Sequence, residues 1–170
     1  TSSSPRQRQA DQVDRVALAA RVARIGADPL DDEELRQKKA LLVVVTIIIL
    51  PISLVWGVLY LALGTPAGVT AFMYLAISLG SLVLFARTRR FEPFLLTQLL
   101  DILLMPNIGQ MGCGGALASG GVGLWGLLAP LGALVFLEVR QAIRWFAAFV
   151  VIFLGTSLAG NAFFADAGFP

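Results

Sequence analysis

From residue 40 onward, polar positions are so sparse that the chain reads as long apolar runs separated by short breaks, without the alternation of a half-buried strand. Crossing about 30 Å of hydrocarbon takes about 20 predominantly apolar residues in a helix. Five runs meet that requirement, at about residues 40–63, 67–85, 94–111, 121–137 and 142–160. The pattern predicts an all-α polytopic transmembrane bundle of five spans over residues 31–160. Pro51 should kink the first span, since proline removes one rung of the hydrogen-bond ladder. The triplet Gly64, Thr65, Pro66 is short enough to force spans one and two to be antiparallel neighbours. The third run differs from the rest because it carries Gln98, Asp101, Pro106, Asn107 and Gln110. It belongs inside the bundle, and its Pro-Asn pair followed by a glycine-rich loop predicts a helix that ends early.

Ahead of these runs, residues 1–30 form a separate cytoplasmic segment. Val13, Ala17, Ala20, Val22 and Ile25 make a rough apolar stripe over residues 9–25, with Asp11, Asp14, Arg15, Arg21 and Arg24 mostly opposite. That is an amphipathic helix, suited to the membrane surface or to a partner. Gly26 and the Asp28-Pro29 pair should stop it. Asp31 with Glu34 then reads as an N-cap with its capping acid. Asp32–Arg36 and Glu34–Lys38 are spaced as i,i+4 pairs, so the first span should begin as a helix in the cytosol at about residue 31.

Composition and charge add orientation and exclude several chemistries. The chain of 170 residues is 57% hydrophobic and 14% charged, and residues 1–39 hold 15 of its 24 charged side chains. All 13 Lys and Arg residues fall before span one, between spans two and three, or from the end of span four through the first turn of span five. The positive-inside rule places those segments in the cytoplasm, and residues 64–66, 112–120 and the tail 161–170 outside an inner membrane. With no histidine, a His-ligated haem, a His-containing zinc site and a Ser-His-Asp triad are excluded within the chain. Cys113 is the single cysteine, so neither an internal disulfide nor a cysteine cluster can form.

Asp101 is the one acidic side chain inside a span. Leaving it in lipid would cost at least about 3 kcal/mol, so it should face the interior with Gln98 one turn away. It could accept hydrogen bonds from a neighbouring helix, or from Arg90 reaching up from the inner interface, or it could take part in a ligand or ion site. A lipid or small-molecule pocket reached from the outer face would be lined by Asn107, Gln110 and Trp125. Gly126, Ala129, Gly132 and Ala133 put small residues at helical spacing on span four, for close packing within the chain or at a homodimer seam. Trp56, Tyr60, Trp125 and Trp145 suit interfacial anchoring.

The segments FARTRRFEPF, QLLDILLMP and GGVGLWGLLAPLGALVF, with the lead-in ADPLDDEELRQKKALLV, resemble in order and spacing the N-terminal membrane domain of bacterial class III adenylate/guanylate cyclases. The likeness covers most of residues 26–160. It implies a sixth span beyond this sequence, then a helical linker and a cytoplasmic cyclase domain that dimerises to make cyclic AMP or cyclic GMP. The divalent metal of that reaction would sit in the cyclase domain. No catalytic residue of the family falls within these 170 positions, so the resemblance implies a membrane anchor and sensor, homodimeric, with lipid as its surroundings and no nucleic-acid partner. A small transporter or channel, and an accessory subunit of a larger membrane complex, are the competing readings.

Overall fold

The computed structural model describes residue 26 and residues 28–166, with side chains through residue 160. The amphipathic helix expected over residues 9–25 and the last four residues of the tail lie outside the described residues. Among those described, the regular elements are all helical: α1 (Glu33–Ala62), α2 (Ala67–Thr88), α3 (Phe91–Gly112), a 3₁₀ helix (Val122–Leu127), α4 (Leu128–Phe136) and α5 (Val139–Asp166). Four of them, α1, α2, α3 and α5, are long and apolar enough to cross a membrane. This is a multi-pass membrane protein.

α1 begins one residue later than the capping pattern predicts. Asp32, not Asp31, is the N-cap, and its Oδ1 accepts from the Leu35 N–H at 2.7 Å. Asp31 is thereby freed for a longer-range partner: its two carboxylate oxygens accept from Lys39 Nζ at 2.8 and 2.7 Å, and both side chains are buried. The Glu34–Lys38 pair forms at 2.6 Å, whereas Arg36 pairs with Glu33 instead of Asp32. Beyond this charged turn, α1 runs through Pro51 without a break.

The turn after α1 is closed by the Thr65 N–H and hydroxyl, both donating to the Tyr60 carbonyl. α2 returns along α1, and a Cβ on Gly68 would lie 2.8 Å from the Gly57 carbonyl oxygen, so two glycines set the closest approach of these helices. Ser53 ties them again by donating to the Ala71 carbonyl at 2.8 Å. At the far end of α2, Arg89 adopts a left-handed conformation, its N–H bonding the Phe85 carbonyl at 2.7 Å. α3 follows at once. Its Pro93 falls in the first turn, where a missing N–H costs no ladder bond. Phe85 and Phe94 stack with centroids 4.5 Å apart and close the corner.

α3 is the hub of the bundle. Of its span, 56% is buried, against 11–28% for α1, α2 and α5. Contrary to the expectation of an early end, α3 stays helical through Pro106 to Gly112. Next to the proline, the Asn107 side-chain amide donates to the Leu103 carbonyl at 2.7 Å, one residue beyond the Ile102 carbonyl that loses its ladder partner to Pro106.

The fourth apolar run is not one long α-helix. Its first six residues are wound as 3₁₀ and the next nine as α. At about 2.0 and 1.5 Å per residue, respectively, these reach about 25 Å. The extra rise lets a short segment follow most of α3: Gly123 lies against Gln110, Gly126 against Asn107, Gly132 against Leu99, and Phe136 against Phe91. α5 then runs back along α3 and α4, and Gly160 reaches the backbone of Gly115 in the loop after α3. α5 also continues as helix to Asp166, six residues past the expected end at 160. Gly26, meanwhile, lies under the Phe85 ring at the Glu33 end, so residues 26 and 160 sit at opposite ends of the bundle.

Candidate functional site

α3 presents two polar faces to two different sets of neighbours. Its middle, about 15 Å from Phe91, carries Gln98 and Asp101, three apart and on one side, facing α1 and α2. Asp101 is 3% exposed and Gln98 is 6% exposed. Ser78 Oγ donates to Asp101 Oδ2 at 2.8 Å and lies 3.3 Å from Gln98 Oε1. Gln98 Nε2 donates to Ser81 Oγ at 2.7 Å, and Thr46 Oγ1 of α1 lies 3.2 Å from Gln98 Oε1. Three helices therefore meet through five polar side chains. Arg90, proposed as a partner reaching up to Asp101, is instead exposed at the start of α3, and Ser78 takes that role. The reason is distance: about 15 Å of helix separates Arg90 from Asp101, while Ser78 faces it directly from α2.

Toward the Gly112 end, Asn107 and Gln110 share another face of α3, turned to the 3₁₀ helix and α5, and neither is accessible. Gln110 Oε1 accepts from the Gly123 N–H at 3.1 Å, and its Nε2 donates to Ser157 Oγ at 2.9 Å. Thr156 Oγ1 lies 3.4 Å from Asn107 Oδ1 and bonds the Ile152 carbonyl at 2.9 Å. This contact depends on absent side chains opposite. A Cβ on Gly123 would sit 2.5 Å from Gln110 Oε1, and one on Gly126 would sit 2.6 Å from Asn107 Nδ2.

The pocket expected from Asn107, Gln110 and Trp125 does not assemble. Residues 107 and 110 point to the 3₁₀ helix and α5, whereas Met105, Pro106 and Gly109 point to α1 and α2, as helical periodicity requires. On that second side lies a cleft of about 120 Å³ between α1, α2, α3 and the 3₁₀ helix, with Ile52, Trp56, Tyr60, Tyr74, Pro106 and Trp125 among its walls. Trp125 thus reaches a cleft without the two amides. Trp56 and Tyr60 stack at 5.5 Å on its rim.

The four small residues of the fourth run all pack within the chain. Ala129 and Ala133 are fully buried, Gly126 meets Asn107 and Leu103, and a Cβ on Gly132 would touch Leu99 at 3.0 Å. Trp145 packs against both hydrophobic clusters of the core, a filling role rather than purely an anchoring one. The polar partners that sequence reasoning passed over are Thr46, Ser78, Ser81, Thr156 and Ser157. Each is a hydroxyl inside an apolar run, and Ser78 with Ser81, three apart on one helical face, was the legible sign of them.

Chemically, these arrangements join helices. Among the described residues, no group of three or more Asp, Glu, His or Cys could hold a metal ion. The polar seam is a set of interhelical hydrogen bonds with one carboxylate at its centre. Compared with known protein families, characterised proteins and solved structures, the chain matches none.

Proposed function

We propose that the chain is the membrane anchor and sensor module of a class III nucleotide cyclase, holding and regulating a dimeric cytoplasmic catalytic domain. The observation that carries this reading against a transporter is the way the intramembrane polar groups are used. Gln98, Asn107 and Gln110 are buried and bonded between helices, and the cleft of about 120 Å³ beside the middle of α3 has mostly apolar walls, while the cleft of about 410 Å³ with Glu92, Gln141 and Arg144 in its walls lies at the Phe91 end of α3. A transport path needs polar groups lining water at mid-depth. An anchor needs helices locked together, and that is the use made of these side chains.

The segments that carry the family resemblance are also those that meet at the hub: 94–111 as α3, and 121–137 as the 3₁₀ helix and α4 lying along it. In this reading the fourth run completes five crossings, the Glu33 end faces the cytoplasm, and a sixth span leads to the catalytic domain. The largely exposed α5 provides lipid-facing or partner-facing surface. The divalent metal and the nucleotide of the cyclase reaction bind in the catalytic domain.

The test is to express the whole open reading frame that contains this segment and assay washed membranes with ATP and GTP in the presence of Mg²⁺ or Mn²⁺. Formation of cyclic AMP or cyclic GMP, abolished by mutating the metal-binding aspartates of the downstream domain, is the expected result. An open reading frame without a cyclase domain would sink the proposal.

A further inference from the structure

We infer that Thr46, Ser78, Gln98 and Asp101 form a binding site for a small monovalent cation, of the size of sodium, at the centre of the bundle. The inference concerns the hub alone and stands whether or not a cyclase domain is attached. The oxygens of the cluster are contiguous: Thr46 Oγ1 to Gln98 Oε1 is 3.2 Å, Gln98 Oε1 to Ser78 Oγ is 3.3 Å, and Ser78 Oγ to Asp101 Oδ2 is 2.8 Å. Hard cations are held by such sets of carboxylate, amide and hydroxyl oxygens. Oxygens this close together favour a small ion over a large one.

Hydrogen counting points the same way. The single hydroxyl hydrogen of Thr46 has its shorter contact with the Leu42 carbonyl, at 2.8 Å. That of Ser78 goes to Asp101 Oδ2, and that of Ser81 to the Ser78 carbonyl at 2.9 Å. The Tyr74 hydroxyl, buried beside Ser78, adds one hydrogen to the cluster, and Asp101 Oδ1 is still buried with no partner at all. A buried carboxylate oxygen without a hydrogen is what a cation satisfies and what a further acceptor would not.

Charge completes the argument. No described Lys or Arg forms an ion pair with Asp101, and the buried Lys39 is committed to Asp31. One carboxylate in a medium of low dielectric calls for one positive charge, and a divalent ion would leave an excess charge uncompensated. A proton is the rival. Carried on Oδ2 and donated to Ser78, it would free the Ser78 hydrogen for Gln98, but it would leave Oδ1 unpartnered.

The experiment is thermal unfolding of the purified protein in detergent, followed by tryptophan fluorescence at constant ionic strength in sodium, potassium or choline chloride. Saturable stabilisation by sodium over choline, by about 3 °C or more in Tm, is expected. It should be lost in Asp101→Asn and reduced in Ser78→Ala. The second variant keeps the test decisive if the first does not fold. Equal midpoints in all three salts would overturn the site, as would a sodium effect retained in both variants. Stabilisation by acid alone, in choline, would assign the charge to a proton and overturn it too.

Discussion

At the scale of single residues, the absence of a side chain does as much as its presence. Gly123 and Gly126 let the fourth segment lie against the amides of α3, and either Cβ would collide with a buried polar group that has no free space to move into. Gly126→Val should therefore cost about 1–3 kcal/mol by overpacking. The check is the Tm of the variant against wild type, with Leu131→Val, on the exposed side of α4, as a near-neutral control. Asn107 illustrates the complementary case. Its amide sits beside Pro106 and donates to the Leu103 carbonyl one turn back, so a residue flagged as a ligand contact instead bonds to the helix that bears it.

At the scale of elements, the entry to α1 is pinned by a contact that reaches back outside the helix. Asp31 lies before the N-cap, and Lys39 lies two turns inside. Both side chains are covered, yet only by the thin layer of protein at the end of the bundle, so the pair's worth is that of an interfacial bridge, about 1 kcal/mol. The hydrogen bonds from Lys39 hold the Asp31 carboxyl below its ordinary value of 3.8. A depressed carboxylate pKa contributes stability that is complete above the unfolded value and is lost as pH falls through the folded one. Wild type should accordingly lose this increment on acidification below about pH 4, whereas Asp31→Asn should start lower and lack that component. Unfolding midpoints of the two proteins between pH 6 and 3 would show it, and parallel curves would refute it.

For the whole molecule, the main question is direction across the membrane. The loop between α3 and the 3₁₀ helix lies at the opposite end of the bundle from Glu33, and the positive-inside argument puts that loop outside. Cys113, the single cysteine of the sequence, is partly exposed at the start of that loop. Intact cells should therefore be labelled at Cys113 by a membrane-impermeant maleimide, with Cys113→Ala as the blank. Labelling that requires permeabilised cells would reverse the orientation.

The amino-acid sequence by itself determined the class of protein, the positions of the apolar runs and the identity of the central helix, because hydrocarbon imposes a length and a composition on anything that crosses it. Gln98, Asp101, Asn107 and Gln110 could be marked as interior for the same reason: lipid does not tolerate them. Which partner each would take was not legible, since Ser78, Ser81, Thr46, Thr156 and Ser157 lie on other helices, and apart from the Ser78–Ser81 pair, three apart on one face, a hydroxyl in an apolar run has no periodic signal of its own. The short register shift from Asp31 to Asp32 at the α1 cap was undecidable for a similar reason, as three further acids follow Asp31 and only the reach of Lys39 selects among them. Tertiary structure alone decided that α3 runs through Pro106, that the fourth segment is partly 3₁₀, and that Trp125 faces away from the two amides. Each of these depends on helices meeting at particular rotations, and rotation about a helix axis is set by packing between elements rather than by any one element's sequence.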